Sequence, residues 1–223
     1  MCFNATASFA GAAVVGACGV ATLTMVRRPR EVPLALLPFA FGIHQALEGL
    51  TWLNLQDRPG AVLTGWAVHL WVLFAWALLP VWVPWAVWLW EENPVRRRWM
   101  VPLLATGGLL TLLMLFEVLQ PGIQVQVVDS NLDYQLTFSP AWYLAVPYLA
   151  ATCLTPMLSS HRFIQVFGVG NVIALSLATA LKAADFSSLW CTFAAFLSII
   201  ILGHYVHQRR SGTAGPVVGA AAS

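Results

Sequence analysis

Long apolar runs alternate with short polar breaks along this chain of 223 residues. A spanning helix needs roughly 20 apolar residues, at about 1.5 Å each, to cover a hydrocarbon core of about 30 Å. Seven runs meet that length: about 6–26, 33–54, a third from near 61, then about 98–119, 140–158, 163–182 and 186–207. The third passes through Trp66, His69, Trp71 and Trp76 to Pro80 and Pro84. Those prolines are expected to kink it, leaving its tail WAVWLW at the interface before Glu91. One long polar loop, about 120–139, separates the fourth and fifth runs. Alternation in IQVQVV and YQLTF around DSNLD predicts a short hairpin there. Such a hairpin is placed either to lie over the mouth of the bundle as a lid or to form an ordinary surface loop.

Composition supports the same class. The chain is 59% hydrophobic and only 9% charged, where a soluble domain carries about 25% charged residues. Eleven tryptophans and a mean hydropathy of +0.75 agree. The expectation is an all-α integral membrane protein, a bundle of seven transmembrane helices over residues 1–210 with a flexible cytoplasmic tail at 211–223. Cytoplasmic loops of membrane proteins are enriched in Lys and Arg. With the N-terminus outside, Arg27, Arg28, Arg30, Arg96, Arg97, Arg98, Arg162, Arg209 and Arg210 all fall on the cytoplasmic side, and only Arg58 and Lys182 outside. The reading is therefore N-terminus outside, C-terminus in the cytoplasm, in the plasma membrane. The first run carries its charges after it rather than before, as an uncleaved helix does and a secretory signal does not. Cys2, Cys18, Cys153 and Cys191 form neither a CxxC pair nor a disulfide pattern.

Ionisable side chains in an apolar segment are costly and mark candidate sites. FGIHQALEGLTW, at 41–52, holds His44 and Glu48, four residues apart and so on one helical face. Counting from helix ends puts His44 near the midplane, Glu48 roughly 6 Å further out and His69 about 4–5 Å to the outer side. Cys191 falls at a similar depth, with Glu117, Lys182 and Asp185 nearer the outer rim and Asn4, Thr6 and Ser8 at the start of the first helix. The inner half carries little beyond Asn171 and the interfacial pair His204 and His207. The simplest arrangement is a polar cavity open to the outside and floored near His44.

Two imidazoles and a carboxylate at one depth suit a divalent metal such as zinc, whose catalytic sites use three protein ligands and keep one position for water. The set is His44, Glu48 and His69, with Cys2, Glu117, Asp185 or Cys191 as further candidates. If the protein is an enzyme, metal-assisted hydrolysis follows, with Glu48 as ligand or general base; a sensor role suits the same site. The same residues suit a small cationic ligand or a proton-coupled carrier, or a polar pair that locks the bundle in a structural, partner-binding subunit. A haem clamped by two histidines has no supporting pattern. The partners expected are the lipid bilayer and a small ligand or ion, not nucleic acid. Retinal chemistry would need a lysine midway along the last helix, and Lys182 sits elsewhere.

Two resemblances bear on this. The alkaline ceramidase and adiponectin receptor superfamily is similar in span number and has an intramembrane zinc, but its pattern includes His-x3-His in the last helix and an aspartate in the third. This chain has His204-x2-His207 and no such aspartate. The opening MCFNATASF, together with LPFAFGIHQALEGLTW, more closely resembles a family of bacterial multi-pass membrane proteins of unknown function. Its members begin Met-Cys-Phe-Ser-Ala-Thr-Ala-Ser-Phe; this chain differs at Asn4. That resemblance implies a membrane bundle and no particular activity. It also draws attention to Cys2 at the outer mouth as a reactive thiol or ligand, and to Asn4 or Thr6 as a cap for the first helix.

Overall fold

A computed structural model describes residues 4–55, 62–120, 123–128, 131–135, 142–181 and 186–211. Seven helical rods are present among them: α1 (Ala5–Leu23), α2 (Val32–Leu55), α3 (Trp66–Trp90), α4 (Pro94–Val118), α5 (142–157), α6 (Arg162–Leu181) and α7 (186–210). A two-stranded antiparallel hairpin, β1 (Gln124–Val128) and β2 (Asn131–Gln135), sits between α4 and α5. The arginine-bearing breaks, α1–α2, α3–α4, α5–α6 and the end of α7, gather at the end opposite the hairpin. These are called below the arginine end and the hairpin end.

Five rods are long and apolar enough to cross a membrane: α1, α3, α4, α6 and most of α7, so the chain is a membrane protein. Helix α5 is shorter, and α2, although 24 residues long, has its apolar character diluted by His44, Gln45 and Glu48. Many large apolar side chains point outward, most conspicuously Leu109, Leu112 and Phe116 on α4. A soluble monomer rarely exposes such a surface, and lipid is its natural solvent.

Local chemistry sets the helix ends. Asn4 caps α1, its Oδ1 accepting the Ala7 N–H at 2.9 Å, as one of the two expected caps. Asn93 does the same for α4, accepting from Val95 and Arg96 ahead of Pro94 at the first helical position. Helices α1 and α2 pack backbone to backbone. A Cβ at Gly19 would lie 2.2 Å from the Phe39 amide nitrogen, so only glycine permits that approach.

Helix α3 runs without interruption through Pro80 and Pro84, where the sequence predicts kinks. A π-helical turn, Leu73–Leu78, precedes Pro80, and the helix continues to Trp90, which is buried against the bundle. Helix α5 repeats the device, with a π turn at Ala150–Leu154 just before Pro156. Widened turns absorb the proline ring, and the carbonyls they leave over need other donors. Neighbouring hydroxyls supply them: Tyr148 donates to the Ala75 carbonyl at 2.5 Å and Thr111 to the Ala77 carbonyl at 2.6 Å. Thr111→Val is accordingly expected to cost about 1 kcal/mol, read as a small fall in melting temperature of detergent-purified protein.

The core divides in two. One apolar cluster, around Phe41, Phe74, Met100 and Tyr205, fills the arginine half. The other, around Trp52, Trp71, Val118 and Cys191, fills the hairpin half and includes Val125, Leu132 and Tyr134 of the hairpin. The hairpin is therefore packed down onto the bundle. Its alternation turns Val125 and its cross-strand partner Tyr134 to the same buried face, and Leu63, just before α3, pairs with Val125 through both backbone bonds.

Candidate functional site

Helix α2 turns one face inward, and Phe41, His44, Glu48, Thr51, Trp52 and Leu55 on that face are all buried. Glu48 is 0% and His44 1% exposed. The Glu48 carboxylate accepts the Ser188 hydroxyl of α7 at 2.7 Å and the Trp71 indole N–H of α3 at 3.3 Å. Both donors are neutral.

Trp71 links this carboxylate to the histidine. Its indole stacks on His44, with centroids 4.7 Å apart and planes 28° apart, while Phe74 lies 4.8 Å from His44 one turn on. On the hairpin side, Tyr134 stacks on Trp71 at 3.7 Å and 5°. An aromatic column, Tyr134–Trp71–His44–Phe74, thus runs from the lid into the bundle, with Glu48 bonded to its second member. Neither ring nitrogen of His44 has a hydrogen-bond partner among the described residues, and the same holds for Gln45 Nε2 and Ser8 Oγ. Buried polar atoms are nearly always paired, so the unpartnered imidazole of His44, one turn from Glu48 on the same buried face, marks the place.

The other sequence candidates fall as follows. His69 is half-buried, and its Nδ1 lies 2.8 Å from the Gly65 carbonyl at the start of its own helix. Cys191 is buried in the hairpin-end cluster as a free thiol, one turn along α7 from Ser188. Glu117 is half-buried in the last turn of α4. Cys2 and Asp185 lie outside the described residues, as does Lys182. Among the described residues no three His, Cys, Asp or Glu side chains come together as a metal site, so the expected set of His44, Glu48 and His69 is not assembled here as a three-ligand shell. The hairpin covers Trp71 through Tyr134 and packs into the apolar cluster at this end.

Three partners were not legible as site residues. Ser188 lies 140 positions from Glu48, and no spacing rule connects them. Trp71 reads in the sequence as one more belt tryptophan. Tyr134 carried a faint signal, because strand alternation places it on one face with Leu132.

A family of unknown function, DUF6629, matches residues 1–216. The chain belongs to this family. The DUF6629 match runs from before α1 to beyond α7 and thus covers all seven rods, in agreement with the resemblance to an uncharacterised family; it brings no activity with it. No curated protein matches the chain, and no solved structure does.

Proposed function

We propose that this protein is a plasma-membrane bundle in which all seven rods span, N-terminus outside and C-terminus cytoplasmic. In this reading Glu48, with His44, forms an outward-facing cation site beneath the hairpin. The cation is a divalent metal or a small cationic ligand, held in a sensor role or for metal-assisted hydrolysis. The topology draws support from the nine arginines that share one end.

One observation carries the site: a fully buried carboxylate whose hydrogen bonds from Ser188 and Trp71 come from neutral donors, with no ion pair among the described residues. An unpaired buried charge costs several kcal/mol. Such a group therefore recruits a cation or a proton, and the unpartnered imidazole one turn below offers a second ligand. A metal would complete its shell with water. A proton at the same carboxylate is the carrier form of the proposal. A second reading, a structural clamp, is favoured by the Ser188 and Trp71 bonds themselves, which tie α2 to α7 and α3.

Elemental mass spectrometry of detergent-purified protein separates these readings. The metal form predicts near-stoichiometric divalent metal in the wild type and its loss in His44→Ala and Glu48→Gln. Wild-type protein without metal overturns that form and leaves the clamp.

A further inference from the structure

A wide cleft lies at the opposite end from Glu48. It measures about 1230 Å³ and opens among the arginine-bearing breaks. Five arginines line it, Arg27, Arg28, Arg30, Arg162 and Arg209, against two carboxylates, Glu31 and Glu92.

Those carboxylates do not neutralise the arginines. Glu92 pairs with Arg30 and lies 4.0 Å from Arg28, one acid between two bases. Glu31 spends an oxygen on the Arg27 backbone N–H at 2.7 Å. Arg209 donates to the Thr24 carbonyl at 2.8 Å, which leaves its charge uncompensated. The Arg27 and Arg162 guanidiniums have neither ion pair nor side-chain hydrogen bond among the described residues.

Beneath this rim the floor is imidazole and aromatic. His204 is 3% exposed, and its Nε2 has no hydrogen-bond partner among the described residues, nor does Nε2 of His161. The two rings lie 5.1 Å apart, and both meet the edge or face of Trp90, at 5.3 and 5.9 Å. All three residues line the cavity, and one wall is apolar, formed by Met25, Phe163, Val166 and Ile200. A preference for basic loops on one side of a membrane requires arginines but not a concave site around a buried, unpartnered histidine.

We propose that this cleft binds a phosphate group, borne either by an anionic phospholipid headgroup or by a soluble phosphate ester. Guanidinium forks match phosphate oxygens in geometry and charge. Imidazole N–H groups at the floor donate to a further oxygen, and the apolar wall accommodates the carbon skeleton of the ester. The site is independent of the Glu48 reading and stands or falls separately.

Melting of detergent-purified protein is followed while phosphatidylglycerol is titrated into the micelles, with phosphatidylcholine as the zwitterionic control, and separately with glycerol 3-phosphate. Arg27→Gln/Arg162→Gln is measured beside the wild type; both side chains are exposed and unpaired, so folding is retained, and the single Arg162→Gln serves as a second variant. The expected result is a saturable rise with one of the two probes and an apparent affinity at least tenfold weaker in the double variant. A response to phosphatidylglycerol assigns the lipid; a response to glycerol 3-phosphate in its absence assigns a soluble ester. No saturable response to either, or an equal response in wild type and variants, overturns the proposal.

Discussion

Gly107→Ala is expected to leave little folded protein. Helix α4 crosses α3 so closely that a Cβ at Gly107 would lie 1.9 Å from the Pro80 carbonyl oxygen and 2.7 Å from its carbon. The obstacle is backbone, which no rotamer change can move aside, so the two rods must separate. Overpacking of that kind costs on the order of 3 kcal/mol or more, a large share of a total stability of about 5–15 kcal/mol. The separation would also strain the Thr111 bond to Ala77 and shift α3, which carries Trp71. Gly108, the next residue, has nothing within 4 Å of the same added atom. Gly108→Ala is expected to be neutral or to gain up to about 1 kcal/mol from helix propensity. Size-exclusion profiles of the two variants after a heating series test the pair. Equal survival of both would contradict the α3–α4 contact described here.

Glu91→Ala ranks second. Glu91 sits just past the end of α3 and is 1% exposed. Its carboxylate accepts the Ser160 N–H at 2.7 Å, the Asn93 N–H at 2.9 Å, the Ser159 hydroxyl at 3.2 Å and the Ser160 hydroxyl. It therefore fastens the α3–α4 turn to the α5–α6 turn, alongside the bonds from Arg96 to the Leu158 and Ser159 carbonyls. Truncation strands the buried Ser159 hydroxyl and removes the link to the donors of Ser160 and Asn93, and a loss of about 2–3 kcal/mol is expected, read as a fall in melting temperature.

The same group has a pH signature. Burial pushes the Glu91 carboxyl upward, but the donors from Ser160, Asn93 and Ser159 outweigh it and hold the group below its ordinary value of 4.5. A carboxyl depressed on folding contributes stability that is fully present above the unfolded pKa and is lost as pH falls through the folded one. Wild-type melting temperature should therefore drop as the pH is taken below the ordinary carboxylate range, and Glu91→Gln should show a shallower acid dependence. Identical acid profiles would mean that these donors do not hold the ionised form. Close by, burial also lowers the His161 imidazole, against the pull of Glu91 and Glu92 and with that of Arg30. It is thus mostly neutral near pH 7 and keeps one N–H for the floor of the cleft.

Much of this architecture could be read from the chain. Twenty-residue apolar runs marked the rods because backbone groups in lipid must bond within their own helix. His44 and Glu48 stood out because ionisable groups are rare in such runs, and both are buried on one face of α2. Strict alternation marked the hairpin, and burial of Val125, Leu132 and Tyr134 decides between lid and surface loop in favour of the lid. Other features leave no periodic trace. A π turn upstream of a proline differs from a kink only through the hydroxyls of other helices that meet its carbonyls, and those lie far away in sequence. His69 shared a depth with His44, but depth says nothing of azimuth, and its imidazole turns to Gly65. The arginines read as topology markers, yet the cleft among them depends on how four chain segments splay. His204, expected at the interface beside His207, is buried against Trp90, whereas His207 is exposed.

The most direct test of the Glu48 site is the melting temperature of wild type and Glu48→Gln, first with chelator and then with added divalent cation. A ligand at one hundred times its Kd adds about 2.7 kcal/mol, which for a chain of this size amounts to roughly 5–10 °C. A cation site predicts a saturable rise of that order in the wild type and none in Glu48→Gln. The same response in both proteins, or no response in either, would contradict a divalent cation at Glu48 and leave the carboxylate as a clamp between helices.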